Sequence, residues 1–172
     1  MKEDRPSFEE THPHLKEFNK FLPELNKESD RGMVLIAASY LDELMLKILK
    51  SYFLAGKTSS ALVDGFNAPL GTFSSRCTAA YSLGLISKME FAEADLIRKI
   101  RNNFAHNIHT SFSDNKVIEL CRKLKYSAGD YGEVVVQPRG KFSSAAVCLI
   151  LNLTNRPHYV SQKRCSFREW TI

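Results

Sequence analysis

The sequence has no hydrophobic run that could span a bilayer and no segment that resembles a secretion signal. Its longest apolar run, residues 145–151, is much shorter than the roughly 20 residues of a transmembrane helix. The first fourteen residues are polar, whereas a signal peptide needs an apolar core. We therefore expect a cytoplasmic protein that does not associate with membranes.

Cysteine is also sparse. The four cysteines are far apart and form neither a CxxC pair nor a cluster with histidine: Cys77, Cys121, Cys148 and Cys165. This spacing is unsuited to zinc, and in the cytoplasm the thiols stay reduced. The sequence also lacks GxxxxGK[ST] and GxGxxG, the glycine patterns that bind nucleotide phosphates. We expect neither a metal nor a cofactor.

The composition is that of one ordinary globular domain of 172 residues, 44% of them hydrophobic and 25% charged. The net charge of +5 permits acidic or nucleic-acid partners but does not require them. We divide the chain into a disordered N-terminus over residues 1–10, a helical domain over residues 11–156 and a basic C-terminal tail over residues 157–172.

Hydrophobic periodicity and capping residues predict helices along most of the chain. Ser29 or Asp30 is suited to begin a long, mostly buried helix that reaches about Leu54. Ser87 and Glu90 have the spacing of a capping box, which predicts a further helix ending near His106. The predicted fold is an all-α, single-domain bundle of about six or seven helices with short connections.

The end of that later helix carries the most informative group of polar residues. Arg101, Asn102 and His106 lie within six consecutive positions. At about 100° per residue, Asn102 and His106 are neighbours on the polar face, and Arg101 falls near the edge of the apolar stripe. A guanidinium, an amide and an imidazole can together bind a phosphate and transfer a proton.

Two interpretations of this group stay open. In the functional one, Arg101 stabilises charge on a scissile phosphate, Asn102 orients it and His106 acts as general acid or base, so that RNA is cleaved without a metal. In the structural one, the three residues only cap and pin a helix. An arginine at this boundary needs a carboxylate or a set of carbonyl oxygens as partner, and Asp42 and Glu43 are the candidate carboxylates.

Four segments in order resemble the mannitol operon repressor family (MltR). They are residues 29–43 (SDRGMVLIAASYLDE), 71–76 (GTFSSR), 80–86 (AYSLGLI) and 97–106 (IRKIRNNFAH). The resemblance extends roughly from Phe18 to Arg156, and it implies an all-helical bacterial protein with a repressor-like role in transcription.

Direct reading of DNA does not fit the sequence, because no convincing helix-turn-helix is present. The resemblance therefore implies a regulator that acts through a protein partner, as a homodimer, with DNA binding weak or indirect. This is our leading hypothesis.

The spacing of Arg101 and His106 also resembles the R-x4–6-H signature of the HEPN superfamily of helical bundles. Active members of that superfamily are metal-independent RNases, in which the pair lines a cleft at a homodimer interface. Many other members are not catalytic. The resemblance therefore implies an alternative function, an endoribonuclease that uses Arg101, Asn102 and His106 on RNA.

Overall fold

A computed structural model describes Thr11 and residues 15–171 of the chain. These residues form eight helices: α1 Lys16–Lys27, α2 Asp30–Tyr52, α3 Lys57–Val63, α4 Phe73–Ser82, α5 Lys88–His106, α6 Asn115–Lys123, α7 Pro138–Thr154 and α8 Arg156–Ser161. Strand pairing in this part of the chain is limited to one bridge, between Tyr131 and Val134. The predicted all-α bundle is confirmed. The disorder predicted for residues 1–10 lies outside the described residues.

The long helix α2 is the centre of the bundle. The hydroxyl of Ser29 accepts a hydrogen bond from the amide of Gly32 at 3.1 Å and so caps the first turn, as the sequence indicated. The helix continues for 23 residues and packs against α1, α3, α4, α5, α7 and α8. Because it has neighbours on most sides, its buried positions run almost all round, and Leu41, Met45 and Ile48 have no exposed surface.

Helix α5 lies against α2 and begins and ends where the sequence predicted. Ser87 and Glu90 form the capping box: the amide of Ser87 donates to the Glu90 carboxylate at 2.7 Å, and the amide of Glu90 donates to the Ser87 hydroxyl at 3.2 Å. Ile97, Ile100 and Phe104 are fully buried on the inner face. The outer face is thereby left to polar residues.

The residues that follow α7 make polar contacts with the rest of the bundle. Arg156 donates to the buried carboxylate of Glu90 at 2.7 Å and to the carbonyl oxygen of Leu85 at 2.8 Å. Beyond α8, the amide of Cys165 donates to the carbonyl oxygen of Tyr52 at 2.8 Å. Arg156, the last residue of the predicted helical domain, is thus attached to α5, and the predicted tail is attached to α2 through Cys165. The domain boundaries stay a prediction.

No helix in the described part of the chain is both long enough and apolar enough to cross a membrane.

Candidate functional site

The last two turns of α5 bring together the three residues that the sequence singled out. Arg101 and His106 are exposed and Asn102 is half-buried. The Arg101 guanidinium donates to the side-chain oxygen of Asn102 at 3.2 Å. His106 is the final residue of the helix, one turn beyond Asn102. The three polar groups therefore face solvent on one surface.

Arg101 does not pair with either of the acids proposed for it. The carboxylate of Asp42 accepts a hydrogen bond from Arg76 of α4 at 2.7 Å, and that guanidinium also donates to the carbonyl oxygens of Leu70 and Val63. Glu43 pairs with Lys47 one turn along α2, at 3.8 Å and largely exposed. Neither candidate carboxylate is therefore bound to Arg101 in this structure, because Arg76 binds Asp42 and Lys47 pairs with Glu43.

Asp42 nevertheless borders the same cavity as Arg101. This cavity of about 390 Å³ lies between α2, α4 and α5 and is lined on the α5 side by Arg98, Arg101 and Asn102. Arg98 is held by Asp95, one turn earlier, at 2.6 Å. Among the cations of this cavity, Arg101 is therefore the one whose charge is not compensated by a carboxylate in the described structure.

A second cavity adjoins the first on the other side of Asn102. Its volume is about 610 Å³, and it lies between α5 and α6. Its lining includes Lys99, Asn102 and His106 from α5 and Lys116 from α6. Asn102 thus stands between a space that contains Arg101 and a space that contains His106, so a ligand that reaches both must pass over this amide.

Arg31 fixes the end of α5 and is a residue that sequence reasoning missed. Its guanidinium donates to the carbonyl oxygens of Asn107 and Ile108, both at 2.9 Å, and to that of Phe104. Phe104 is in the last turn of α5, and Asn107 and Ile108 follow the helix directly, so Arg31 supplies the C-terminal cap that His106 was expected to help provide. The contact joins residues more than 70 positions apart, and no local pattern indicates it.

Asp95 is held in its charged form by its neighbours. Burial raises the pKa of its carboxyl, but hydrogen bonds from Lys99 and Arg98 outweigh that effect, so the pKa lies below its usual value. Lys99 contacts the carboxylate at 2.8 Å. Among the described residues, no cluster of three or more His, Cys, Asp or Glu side chains is arranged to hold a metal ion.

A separate exposed apolar feature lies between α6 and α7. Tyr131, Val134 and Val135 are 86%, 66% and 63% exposed. Tyr131 and Val134 exchange two backbone hydrogen bonds across a tight turn in which Gly132 has a φ of 56°, a left-handed conformation that glycine adopts without strain. The amide of Val136 donates to the carboxylate of Asp130 at 2.8 Å, and this hydrogen bond joins the two ends of the turn. We call residues 130–136 the apolar turn.

Comparisons with known proteins identify the fold. No family model matches the chain, and no curated protein matches it. Among solved structures, the chain is similar to one described as the X-ray structure of the MtlR-HPr complex from Escherichia coli, with a TM-score of 0.59 and 22% identity over 83% of this chain and 97% of that chain. The MtlR-like fold predicted from the sequence is confirmed. The HEPN interpretation of Arg101 and His106 stays a prediction.

Proposed function

We propose that this protein is a regulator that acts by binding another protein, HPr or a protein like it, in the cytoplasm. The observation that supports the proposal is the shared fold: the similar chain comes from a complex of MtlR with HPr. A repressor-like effect on transcription then follows from the protein contact and not from recognition of DNA bases.

The structure around the start of α5 supports indirect regulation. A helix that reads DNA presents the side chains of its first turns to base edges. In α5, which follows a five-residue connection from α4, Glu90 of the first turn is only 4% exposed and is bound by Arg156. A buried carboxylate at that position cannot contact bases and would repel phosphates.

The apolar turn is the surface we assign to the protein partner. Contiguous exposed apolar side chains mark protein-binding sites, and aromatic residues supply much of the binding energy. Tyr131, Val134 and Val135 project from one short turn, next to a cavity of about 520 Å³ whose lining includes Phe112 and Ile118. A partner that covers the turn therefore finds beside it a recess that offers both apolar surface and the cations Arg122, Arg139 and Lys141.

Calorimetric titration of the purified protein with HPr tests the proposal. We expect binding by the wild-type protein and a loss of roughly tenfold or more in affinity for Tyr131→Ser, as for a central aromatic contact. Phe66→Ser is the matched control, because Phe66 is 98% exposed in a different loop, between α3 and α4. Absence of binding by the wild-type protein would exclude HPr as the partner.

The second candidate is a metal-independent endoribonuclease that uses Arg101, Asn102 and His106 across a homodimer. The observation that favours it is the direct hydrogen bond from Arg101 to Asn102, with both residues and His106 lining adjoining open cavities. In this scheme Arg101 binds the phosphate, Asn102 orients it and His106 takes the proton of the attacking 2′-hydroxyl. The 2′-oxygen then bonds to phosphorus as the bond to the 5′-oxygen breaks, and the imidazolium gives the proton to that departing oxygen. The three groups are accessible to a substrate, as this mechanism requires.

An RNase assay in EDTA tests this candidate. Cleavage by the wild-type protein, its loss in His106→Ala and its retention in His109→Ala would support it. His109 is a suitable control because it is exposed and lies three residues beyond His106. If purified protein cleaves no RNA, or if His106→Ala cleaves as fast as wild type, the candidate is wrong.

A further inference from the structure

The exposed face of α5 continues well beyond Arg101 and His106. Lys88, Ala92, Asp95, Lys99 and Asn102 follow one another at intervals of three or four residues and so share one face of the helix with His106. From Lys88 to His106 this face is about 27 Å long, at about 1.5 Å per residue.

Two cavities follow one another along this face. The first, about 460 Å³, is lined by Tyr81 of α4, by Lys88, Phe91 and Asp95 of α5 and by Lys123 of α6. The second is the one that contains Lys99 and His106. Asp95 lines the first cavity and Lys99 the second, and the two side chains form an ion pair at 2.8 Å. We call this face of α5 with its two cavities, from Lys88 to His106, the α5 groove.

Positive charge dominates the α5 groove. Lys88, Lys116 and Lys123 line it and form no ion pair with any described residue. Its one acid, Asp95, is neutralised by Arg98 and Lys99. Glu119, the acid of α6, is exposed but does not line either cavity. A ligand along this path therefore meets three uncompensated lysines.

An aromatic pair stands at the end of the α5 groove nearest Lys88. The rings of Tyr81 and Phe91 are stacked, with centroids 4.8 Å apart and planes 19° apart. Phe91 is partly buried beneath, while Tyr81 is 40% exposed. A ring that is supported from below and open to solvent is a platform on which a nucleobase can stack.

We propose that the α5 groove binds single-stranded RNA, with lysines along the sugar-phosphate backbone and a base stacked on Tyr81. This combination of a basic channel and an exposed aromatic ring is the usual basis of sequence-tolerant binding to single strands. An acidic protein fits less well, because lysine is depleted from protein–protein interfaces. The inference extends the second candidate function but does not require cleavage.

Fluorescence anisotropy with a labelled oligouridylate of about 20 nucleotides, in EDTA, tests the proposal. We expect binding at about 50 mM salt that weakens steeply by about 200 mM. Changing Lys88, Lys116 and Lys123 together to Gln should reduce the slope of log affinity against log salt by about 2, since each phosphate contact to a single strand contributes about 0.7. Changing Lys16, Lys20 and Lys57 to Gln removes the same charge from elsewhere on the surface and should leave the slope unchanged.

The aromatic contact is tested separately. Tyr81→Ala should weaken binding by about tenfold, whereas Tyr81→Phe should bind like wild type, because stacking needs the ring and not the hydroxyl. Circular dichroism and thermal melting establish that each variant is folded.

Three results would overturn the proposal: no binding at low salt, an equal effect of the two lysine triples, or binding of polyglutamate in place of RNA. Binding of RNA without cleavage supports the proposed role of the α5 groove and excludes the RNase candidate. If the variant changed at Lys88, Lys116 and Lys123 cleaves RNA as fast as wild type, the α5 groove does not bind the RNA, but the RNase candidate is not excluded.

Discussion

Asp42 pairs with Arg76, at 2.7 Å, and not with Arg101. The pair joins α2 to α4, and the side chain of Arg76 is only 12% exposed. Arg101 lines the same cavity as Asp42 and keeps its guanidinium accessible, and within the described part of the chain its side chain donates a hydrogen bond only to the amide oxygen of Asn102. Arg76 therefore stabilises the fold, while Arg101 is available to a ligand.

Arg31 and Arg101 should differ sharply in their effect on stability. We expect Arg31→Ala to lower the free energy of unfolding by about 1.5–3 kcal/mol, because carbonyl oxygens at the end of α5 lose their charged donor. Arg101→Ala changes an exposed residue of α5 and should lower the free energy of unfolding by less than about 0.5 kcal/mol. Urea unfolding measures both, and equal effects would contradict the assignment of Arg31 as the cap of α5.

Arg156 should be more important for folding than its place near the C-terminus indicates. Arg156→Ala leaves the carboxylate of Glu90, 6% exposed at its side chain, without its cation. Loss of one partner of such a buried pair costs about 3–5 kcal/mol. The matched surface control is Lys47→Ala, which breaks the exposed pair with Glu43 and should cost no more than about 1 kcal/mol. A thermal melt of Arg156→Ala that matches wild type would refute the prediction.

Capping residues and hydrophobic periodicity, which are visible in short stretches of sequence, predicted much of this fold. The features that they did not predict depend on contacts between residues far apart in the chain. The start and end of α5 depend on Ser87 and Glu90, which are three residues apart and therefore visible in the sequence. The partners of Asp42 and Arg31 are 34 and 76 residues away and depend on how the helices pack. The sequence thus indicated that Arg101 and His106 share a helix end. It could not show that Arg76 binds Asp42, the carboxylate proposed for Arg101, or that Arg31 binds the carbonyl oxygens at the end of α5.

Acid should destabilise the protein partly through Asp95. The pKa of Asp95 in the folded protein lies below its ordinary value in the unfolded chain. Its charged form therefore stabilises the fold fully at a pH above the unfolded-state pKa, and this contribution is lost as the pH falls through the lower, folded-state pKa. We expect Asp95→Asn to lose less stability than wild type between about pH 5 and about pH 2 in urea unfolding. A steeper acid loss in the variant would contradict the ion pairs with Arg98 and Lys99.

Two of the four thiols should be unreactive in the folded protein. Burial raises the pKa of Cys77 and of Cys121 to about 12, so at neutral pH almost no thiolate is present at either position. A thiol reagent added to native protein should modify Cys77 and Cys121 last, and all four should react at once in denaturant. Peptide mapping identifies the order, and rapid labelling of Cys121 in native protein would show that α6 is not packed as described.

The most direct test of the proposed protein-binding role is hydrogen exchange of this protein with and without HPr. We predict slower exchange of the backbone amides in the apolar turn, residues 130–136, when HPr is present, and no change in the loop that contains Phe66. Unchanged exchange throughout the chain in the presence of excess HPr, or protection confined to other surfaces, would contradict the account.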